Sequence, residues 1–461
     1  MSIYKDCDIR GVFEKEFDVT EGYHIGKAVG TIHKGAMIVV AGDVRISTPA
    51  LKKELIRGMV ETGVHVIDLG TTTTPMFYYA INKLAANGGV MVTASHNPPQ
   101  YNGFKLMFGD EPITVQEIQD IKTLVNSKEF AEGKGKCEHL SIANDYQEFM
   151  KNYFGQTREK PLKIVLDCGN GATSEFVPKI VGGLGYEVVP LYCDVDGNFP
   201  NRDPDPALYT CLGDLSQKVV DTQADLGAAY DGDGDRVVFV DNKGRVINSE
   251  KSYVIFIGDL LKQHQKGRKY KGLYGDDLKP SFVYDQKSMM IVKQAADDNG
   301  GEAIIEKSGY GFIKRSFLKS HAMMGGEISG HFFFGELGGD DGLFATLMLC
   351  QILEKGEESL AQLVDEIPPS YISPELRIAC PYEEQDELLA KAREFAKGYQ
   401  IDELDGVRIT FPHGWFLIRK SITSQAVTVR MEGDSPESLK EIKQLVKQAL
   451  PTLATHDYFK D

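Results

Sequence analysis

Apolar and polar positions along the chain follow an outline that occurs three times. An apolar run leads into a Gly/Asp loop, a helical pattern follows, and a glycine precedes a second apolar run. The first copy runs from Met37-Ile-Val-Val40 through Gly42-Asp43 and a helix from near Pro49 to Met59, then past Gly63 into Val64-His-Val-Ile67. The second runs from Lys163-Ile-Val-Leu166 through Asp167-Cys-Gly-Asn-Gly171 to Gly185 and Glu187-Val-Val189. A weaker third starts at Ser281-Phe-Val-Tyr284, crosses Asp285 to Ser288 and re-emerges at Ala303-Ile-Ile305. Strands alternating with helices predict parallel sheets covered by helices, with ligand loops at the carboxyl ends of the strands. Function is therefore expected in the Gly/Asp loops. Towards the C-terminus the pattern changes: Val407-Arg-Ile-Thr-Phe411, Trp415 to Ile418 and Ala426 to Met431 predict strands in quick succession. A helix then opens at Ser435-Pro436-Glu437, with serine as N-cap, proline in the first turn and Leu439, Ile442, Leu445, Val446 and Leu450 as its apolar positions.

The 461 residues exceed the ~250 to 300 at which one core stops growing, so several domains are expected. Divisions near 150, 255 and 368 give units 1–150, 151–255, 256–367 and 368–461, with a hinge expected at Pro368-Pro369 and Pro374. The opening MSIYKDCDIRGVF carries charges where a signal peptide needs an apolar core, and no apolar run reaches the ~18 to 20 residues that cross a bilayer. A cytoplasmic protein without a membrane partner is expected. A net charge of -16 disfavours nucleic acid, and requires any anionic substrate to meet locally gathered basic residues. The seven cysteines are scattered and never spaced as C-x-x-C, which favours reduced, buried thiols over a disulfide framework or zinc knuckle.

Two loops carry the sharpest chemistry. In Asp231-Gly-Asp-Gly-Asp-Arg236, three carboxylates at alternate positions can converge on one hard cation, Mg²⁺ or Ca²⁺, because the glycines let the backbone fold tightly. An EF-hand would need Gly and Glu where Arg236 and Asn242 stand. The plainer alternative is an acidic hairpin turn. In Thr93-Ala-Ser-His-Asn-Pro-Pro99, Ser95 is a nucleophile only if its proton is taken up and the incoming group is neutralised; His96 and Lys105 are placed to help. Alone, that segment would be an ordinary polar turn.

Together, TASHNP, NGFK with its lysine ten residues beyond Ser95, and DGDGDR about 140 residues later resemble the α-D-phosphohexomutase superfamily of phosphomannomutases and phosphoglucomutases. Cys7-Asp-Ile-Arg-Gly11 resembles its N-terminal active-site segment and Gly42-Asp-Val-Arg-Ile-Ser-Thr-Pro49 its first-domain loop. Gly325-Gly-Glu-Ile-Ser-Gly-His331 is similar to its sugar-binding loop, and Gly414-Trp-Phe-Leu-Ile-Arg-Lys-Ser-Ile-Thr423 to its phosphate-binding loop. The resemblance implies four domains around a central cleft, three sharing a mixed α/β core and a smaller fourth resembling a TATA-binding-protein-like unit. It implies that Ser95 bears a phosphate, and that Asp231, Asp233 and Asp235, with a phosphate oxygen on Ser95, hold Mg²⁺. Arg10, Lys105 and Arg236 would stabilise the transferring group or aid proton transfer, and His331 would be a general acid or base. Glu327 and Ser329 would hold sugar hydroxyls, Arg419, Ser421 and Thr423 a non-reacting phosphate, and Lys287 the substrate.

The implied activity is interconversion of hexose 1-phosphate and hexose 6-phosphate, of glucose or mannose, through phospho-Ser95 and a hexose 1,6-bisphosphate. A phosphoglucosamine mutase, a sugar-phosphate phosphatase and a non-catalytic sensor are the alternatives. Three positions depart from the pattern: Cys7 where many relatives have tyrosine, Tyr310 where many have histidine, and Ile422 where asparagine is usual. No Walker A, H-E-x-x-H, kinase loop or complete G-x-G-x-x-G is present, which leaves ATP-dependent, zinc-protease and dinucleotide chemistry without support.

Overall fold

The computed structural model describes residues 2–155, 160–421 and 425–460. Its strands fall into four sheets, of seven, five, five and six strands, in that order along the chain. The first strand of each repeated segment is an interior strand of one sheet, with a parallel neighbour on either side. Met37–Gly42 pairs in parallel with His65–Thr71 and Gly88–Val92. Lys163–Asp167 does so with Glu187–Leu191 and Leu226–Tyr230, and Lys279–Asp285 with Glu302–Glu306 and Ala322–Gly326. The apolar runs are buried because helices cover both faces of such a sheet.

The sheets are mixed rather than parallel throughout. In each repeat the third parallel strand turns back into an antiparallel neighbour: Gly88–Val92 into Tyr101–Phe108, Leu226–Tyr230 into Val237–Asp241, and Ala322–Gly326 into Phe332–Phe334. These three equivalent turns are the Ser95 loop, the Asp231–Arg236 loop and the Glu327–His331 loop. The candidate catalytic and metal-ligating residues thus stand one hairpin later than the Gly/Asp loops that follow the first strand of each repeat. Those loops form a supporting ring: Gly42-Asp43 leads to Arg45, Asp167–Gly171 abuts the acidic loop, and Asp285–Ser288 carries Lys287.

The expected divisions at 150 and 255 fall inside the helices Ala143–Phe154 and Ser249–Gln265, whereas 368 falls in the coil between Leu360–Glu366 and Tyr371–Ile372. Helical periodicity marks which face of a helix is buried, not which neighbour buries it, so a boundary within a helical pattern carries no signal. Among the described residues no helix is long and apolar enough to cross a membrane.

One apolar cluster runs from Val39 to Val364 and joins the first three units. The fourth has its own core, from Leu376 to Phe459, under a six-stranded sheet packed against Pro436–Ala449. Ser435 caps that helix as expected, accepting from the Ser438 N–H. Polar contacts largely dock this unit on the third: Arg430 on Glu250 at 3.1 Å and the Lys287 carbonyl at 2.6 Å, and Gln286 on the Asp405 carbonyl at 2.8 Å. Glu432 accepts from the Met290 N–H at 2.8 Å and Trp415 Nε1 at 2.7 Å.

Glu432 is 1% exposed, and burial pushes its carboxyl up to about 7 against the pull of those two donors. A folded state that holds a proton the unfolded chain releases near ~4.3 loses stability as pH rises from there to about 7, and stays penalised above it. Glu432→Gln keeps an acceptor for both donors and removes the charge. The variant is expected to match the parent near pH 4.5 and to be more stable by about 1–3 kcal/mol at pH 8, read from thermal midpoints across pH.

Candidate active site

Ser95 is 2% exposed and has a φ of +49°, the left-handed region that costs a non-glycine residue on the order of 1 kcal/mol and that clusters at functional positions. Arg45 holds its loop in that shape. The guanidinium donates from Nη2 to the carbonyls of Ser95 at 2.7 Å and Asn97 at 2.6 Å, and from Nη1 to those of Pro98 at 2.7 Å and Tyr101 at 3.0 Å. Nε donates to Asp43 at 3.0 Å, so all five N–H groups are used. Asp43 also accepts from the Thr48 and Thr93 hydroxyls, each at 2.7 Å. Arg10 donates to Asn97 Oδ1 at 2.6 Å and pairs with Asp8, which brings the N-terminal segment to the same loop.

The acidic loop is both of the things its sequence allowed: a hairpin connection, and a convergence of carboxylates. Oxygens of Asp231, Asp233 and Asp235 all lie within 4.8 Å of one another, and each residue is at most 1% exposed. A Cβ on Gly232 would lie 2.5 Å from the Ser95 carbonyl oxygen, so only glycine lets the two loops touch. Ala172 N–H donates to the Gly232 carbonyl, Thr74 N–H to that of Asp233 and Val237 N–H to that of Gly330, which seats the loop among three units.

Burial and the charges of Asp233 and Asp235 push the Asp231 carboxyl well above the carboxylate range. For Asp235, burial pushes upward, but Lys105 and His331 outweigh it and hold the carboxyl low. Lys105 pairs with Asp235, and with Asp233 at 3.3 Å; burial favours its neutral form, yet these carboxylates keep its ammonium charged well above the usual range. Asp233 Oδ1 and Asp235 Oδ1 are buried without a hydrogen-bond partner among the described residues. Clustered carboxylates, orphaned oxygens and hard donors fit a small divalent cation.

The Ser95 hydroxyl donates to Asp231 Oδ2 at 2.7 Å and lies 3.3 Å from His96 Nδ1. Asp231 is thus the nearer acceptor for the seryl proton. Burial and the charges of Arg236 and Arg10 push His96 well below its usual range, so it stays neutral and accepts from Arg236. Arg236 also donates from Nε to His331 Nε2 at 3.1 Å. His331 Nδ1 lies 2.6 Å from Asp340 Oδ2; burial lowers the imidazole, but Asp235 and Asp340 outweigh it and raise it.

In the third unit, Glu327 Oε1 accepts from the Gly309 N–H at 2.8 Å and Oε2 from the Ser329 hydroxyl at 3.2 Å, with His331 at 3.9 Å. Lys287 pairs with Glu375 at 2.8 Å, and Lys287 with Arg377 holds that carboxyl down at about 2 against the upward push of burial. Arg419 pairs with Asp405 at 2.8 Å, while its Nη2 is buried without a hydrogen-bond partner among the described residues. Ser421 stands just past the strand Gly414–Lys420 that carries Arg419; Ile422 and Thr423 lie outside the described residues.

Comparison with known proteins agrees with this arrangement along the whole chain. Family models described as phosphoglucomutase/phosphomannomutase, alpha/beta/alpha domains I, II and III, match residues 2–132, 144–244 and 248–371, and that family's C-terminal domain matches 375–449. The chain belongs to this family. Among its relatives are the phosphomannomutase/phosphoglucomutase of Pseudomonas aeruginosa, 36% identical over 97% of this chain and 95% of that one, and a Neisseria gonorrhoeae phosphoglucomutase, 35% identical over 97% and 96%. A solved phosphoglucomutase/phosphomannomutase family protein from Burkholderia thailandensis superposes with a TM-score of 0.87 at 32% identity, covering 97% and 98% of the two chains.

Within this member of the family, the sequence reading missed two residues that orient the site. Asp340 follows the sugar loop without a motif of its own. Arg45 lay inside a quoted motif, where Asp43 two residues before it and the turn carbonyls ahead of Tyr101 were its only signal. Arg45→Lys keeps a positive charge but offers three donors in place of a planar fork of five. The variant is expected to lose about 2–4 kcal/mol of stability and about 10- to 100-fold in turnover, measured by thermal unfolding and steady-state kinetics.

Proposed function

We propose that this chain is a Mg²⁺-dependent phosphohexomutase that interconverts hexose 1-phosphate and hexose 6-phosphate through a phosphoryl group carried on Ser95. The observation that carries the reading is the Ser95 hydroxyl held 2.7 Å from Asp231, inside a carboxylate cluster that also holds Lys105. A nonspecific phosphatase would need only that much. The adjoining Glu327–Ser329 pair and the buried Arg419, whose Nη2 has no hydrogen-bond partner among the described residues, favour a phosphorylated sugar as acceptor over water.

Asp231, Asp233 and Asp235, with an oxygen on Ser95, would hold Mg²⁺, which supplies charge neutralisation at the transferring phosphoryl group. Hexose 1-phosphate binds with its phosphate on Arg419, Ser421 and Thr423, its hydroxyls on Glu327 and Ser329, and Lys287 in contact with the substrate. The 6-hydroxyl attacks the seryl phosphorus in line; the new P–O bond forms as the bond to Ser95 Oγ breaks. The hydroxyl proton passes to a base, for which His331, oriented by Asp340, is the candidate. Arg10, Lys105 and Arg236 stabilise the charge on the transferring group, and His96, neutral beside Ser95, accepts from Arg236 and keeps that guanidinium aimed at the site. The resulting hexose 1,6-bisphosphate, which also serves as activator, turns over and returns its 1-phosphoryl group to Ser95.

Glucose and mannose phosphates are the preferred substrates in this reading, with glucosamine phosphate third, and the cytoplasm is where the protein would meet them. The fourth unit, docked largely through polar contacts, is suited to moving at the 368 coil and excluding water.

Phosphorus NMR of the protein with Mg²⁺ and trace hexose 1,6-bisphosphate checks the reading, with glucose, mannose and glucosamine 1-phosphates offered in parallel. Conversion to 6-phosphates is expected, falling by about 10³-fold or more in Ser95→Ala. Release of inorganic phosphate alone would establish a phosphatase, and no change in any tube would favour a sensor.

A further inference from the structure

Tyr310 begins the helix Tyr310–Ser320 of the third unit and is 8% exposed. As packing it belongs to a small apolar cluster with Val283, Ile313, Phe317, Ala322 and Phe333. Its other neighbours are polar. The Lys105 ammonium lies 5.0 Å from the ring centroid, and the His331 imidazole stacks on the ring at 6.1 Å between centroids and 26° between planes. The phenol donates to the Cys7 carbonyl at 3.0 Å, and Cys7 packs on the same cluster. One side chain of the third unit therefore touches its own proton-transfer histidine, the first unit's lysine on the metal carboxylates, and the segment that carries Arg10.

Each contact has a physical consequence. The ring quadrupole attracts the ammonium and restricts where it sits, and a hydrocarbon wall keeps water from competing with Asp233 and Asp235 for it. Together with Phe333, which stacks on the imidazole at 5.9 Å and 23°, the Tyr310 ring fixes the imidazole plane, while the Asp340 carboxylate fixes its rotation within that plane. The hydroxyl anchors the ring across the boundary between units, since breaking that bond would leave a carbonyl unpaired. Apolar packing alone would require neither the ammonium nor the imidazole as a neighbour.

We propose that Tyr310 is a positioning residue for phosphoryl transfer, holding Lys105 and His331 in register across the boundary of the first and third units and keeping water from between them. The inference rests on the mutase reading, so the wild-type protein is the first control: if it converts no hexose phosphate, that reading fails.

With an active wild type, Tyr310→Leu removes the ring and Tyr310→Phe removes only the anchor to Cys7. For Tyr310→Leu, kcat is expected to fall by about tenfold or more with KM for the preferred hexose 1-phosphate within about threefold, because the lost interaction is alignment in the transition state. Inorganic phosphate released per turnover should rise as water gains entry, and Tyr310→Phe should recover kcat to within about threefold of wild type. The proposal is overturned if Tyr310→Leu keeps full kcat, if KM rises in step with the loss, or if Tyr310→Phe falls as far as Tyr310→Leu. Thermal midpoints are measured alongside. If Tyr310→Leu does not fold, Tyr310→Met takes its place, and failure of both to fold would make the ring a packing element and overturn the proposal as well.

Discussion

Three carboxylates within 4.8 Å of one another, all withdrawn from water, are the constraint around which this molecule is built. At an effective dielectric constant of about 20, each pair of such charges repels by about 3 kcal/mol, a sum comparable to the whole stability of a domain. The acidic loop cannot form alone. Lys105 arrives from the first unit, Arg236 from the loop's own end, and two carboxylate oxygens are left for a cation.

That demand explains the division of labour among the units. Each repeat delivers the hairpin after its third parallel strand to one meeting point, so Ser95, the three aspartates and the Glu327–His331 segment arise from the same position in three copies of one topology. A rigid site needs these three fixed relative to one another, and they share a continuous apolar core. The fourth unit keeps its own core and docks through ion pairs and hydrogen bonds beside a small apolar cluster of Met289, Ile291 and Ile372, contacts that can be remade.

Most elements of the fold are legible in the sequence. The runs at Met37, Lys163 and Lys279 became interior strands because unbroken apolar stretches signal burial on both faces. Ser435-Pro436 opened a helix because capping is a local event. Antiparallel closure of each sheet and the placing of Ala143–Phe154 and Ser249–Gln265 were not legible, since strand direction and helix partners depend on contacts far apart in the chain.

The sequence by itself determined which residue types could do chemistry: Ser95, the three aspartates, Glu327, His331 and Arg419 stand in motifs whose spacing is short enough to be read. Tertiary structure alone decided who serves them. Arg45 reaches four turn carbonyls, Asp340 orients His331, and Tyr310 joins Cys7, Lys105 and His331 from 303, 205 and 21 residues away. Such groups act through hydrogen bonds to backbone and through contact with a ring, and neither requirement leaves a pattern along the chain, because any segment the fold brings near can meet it.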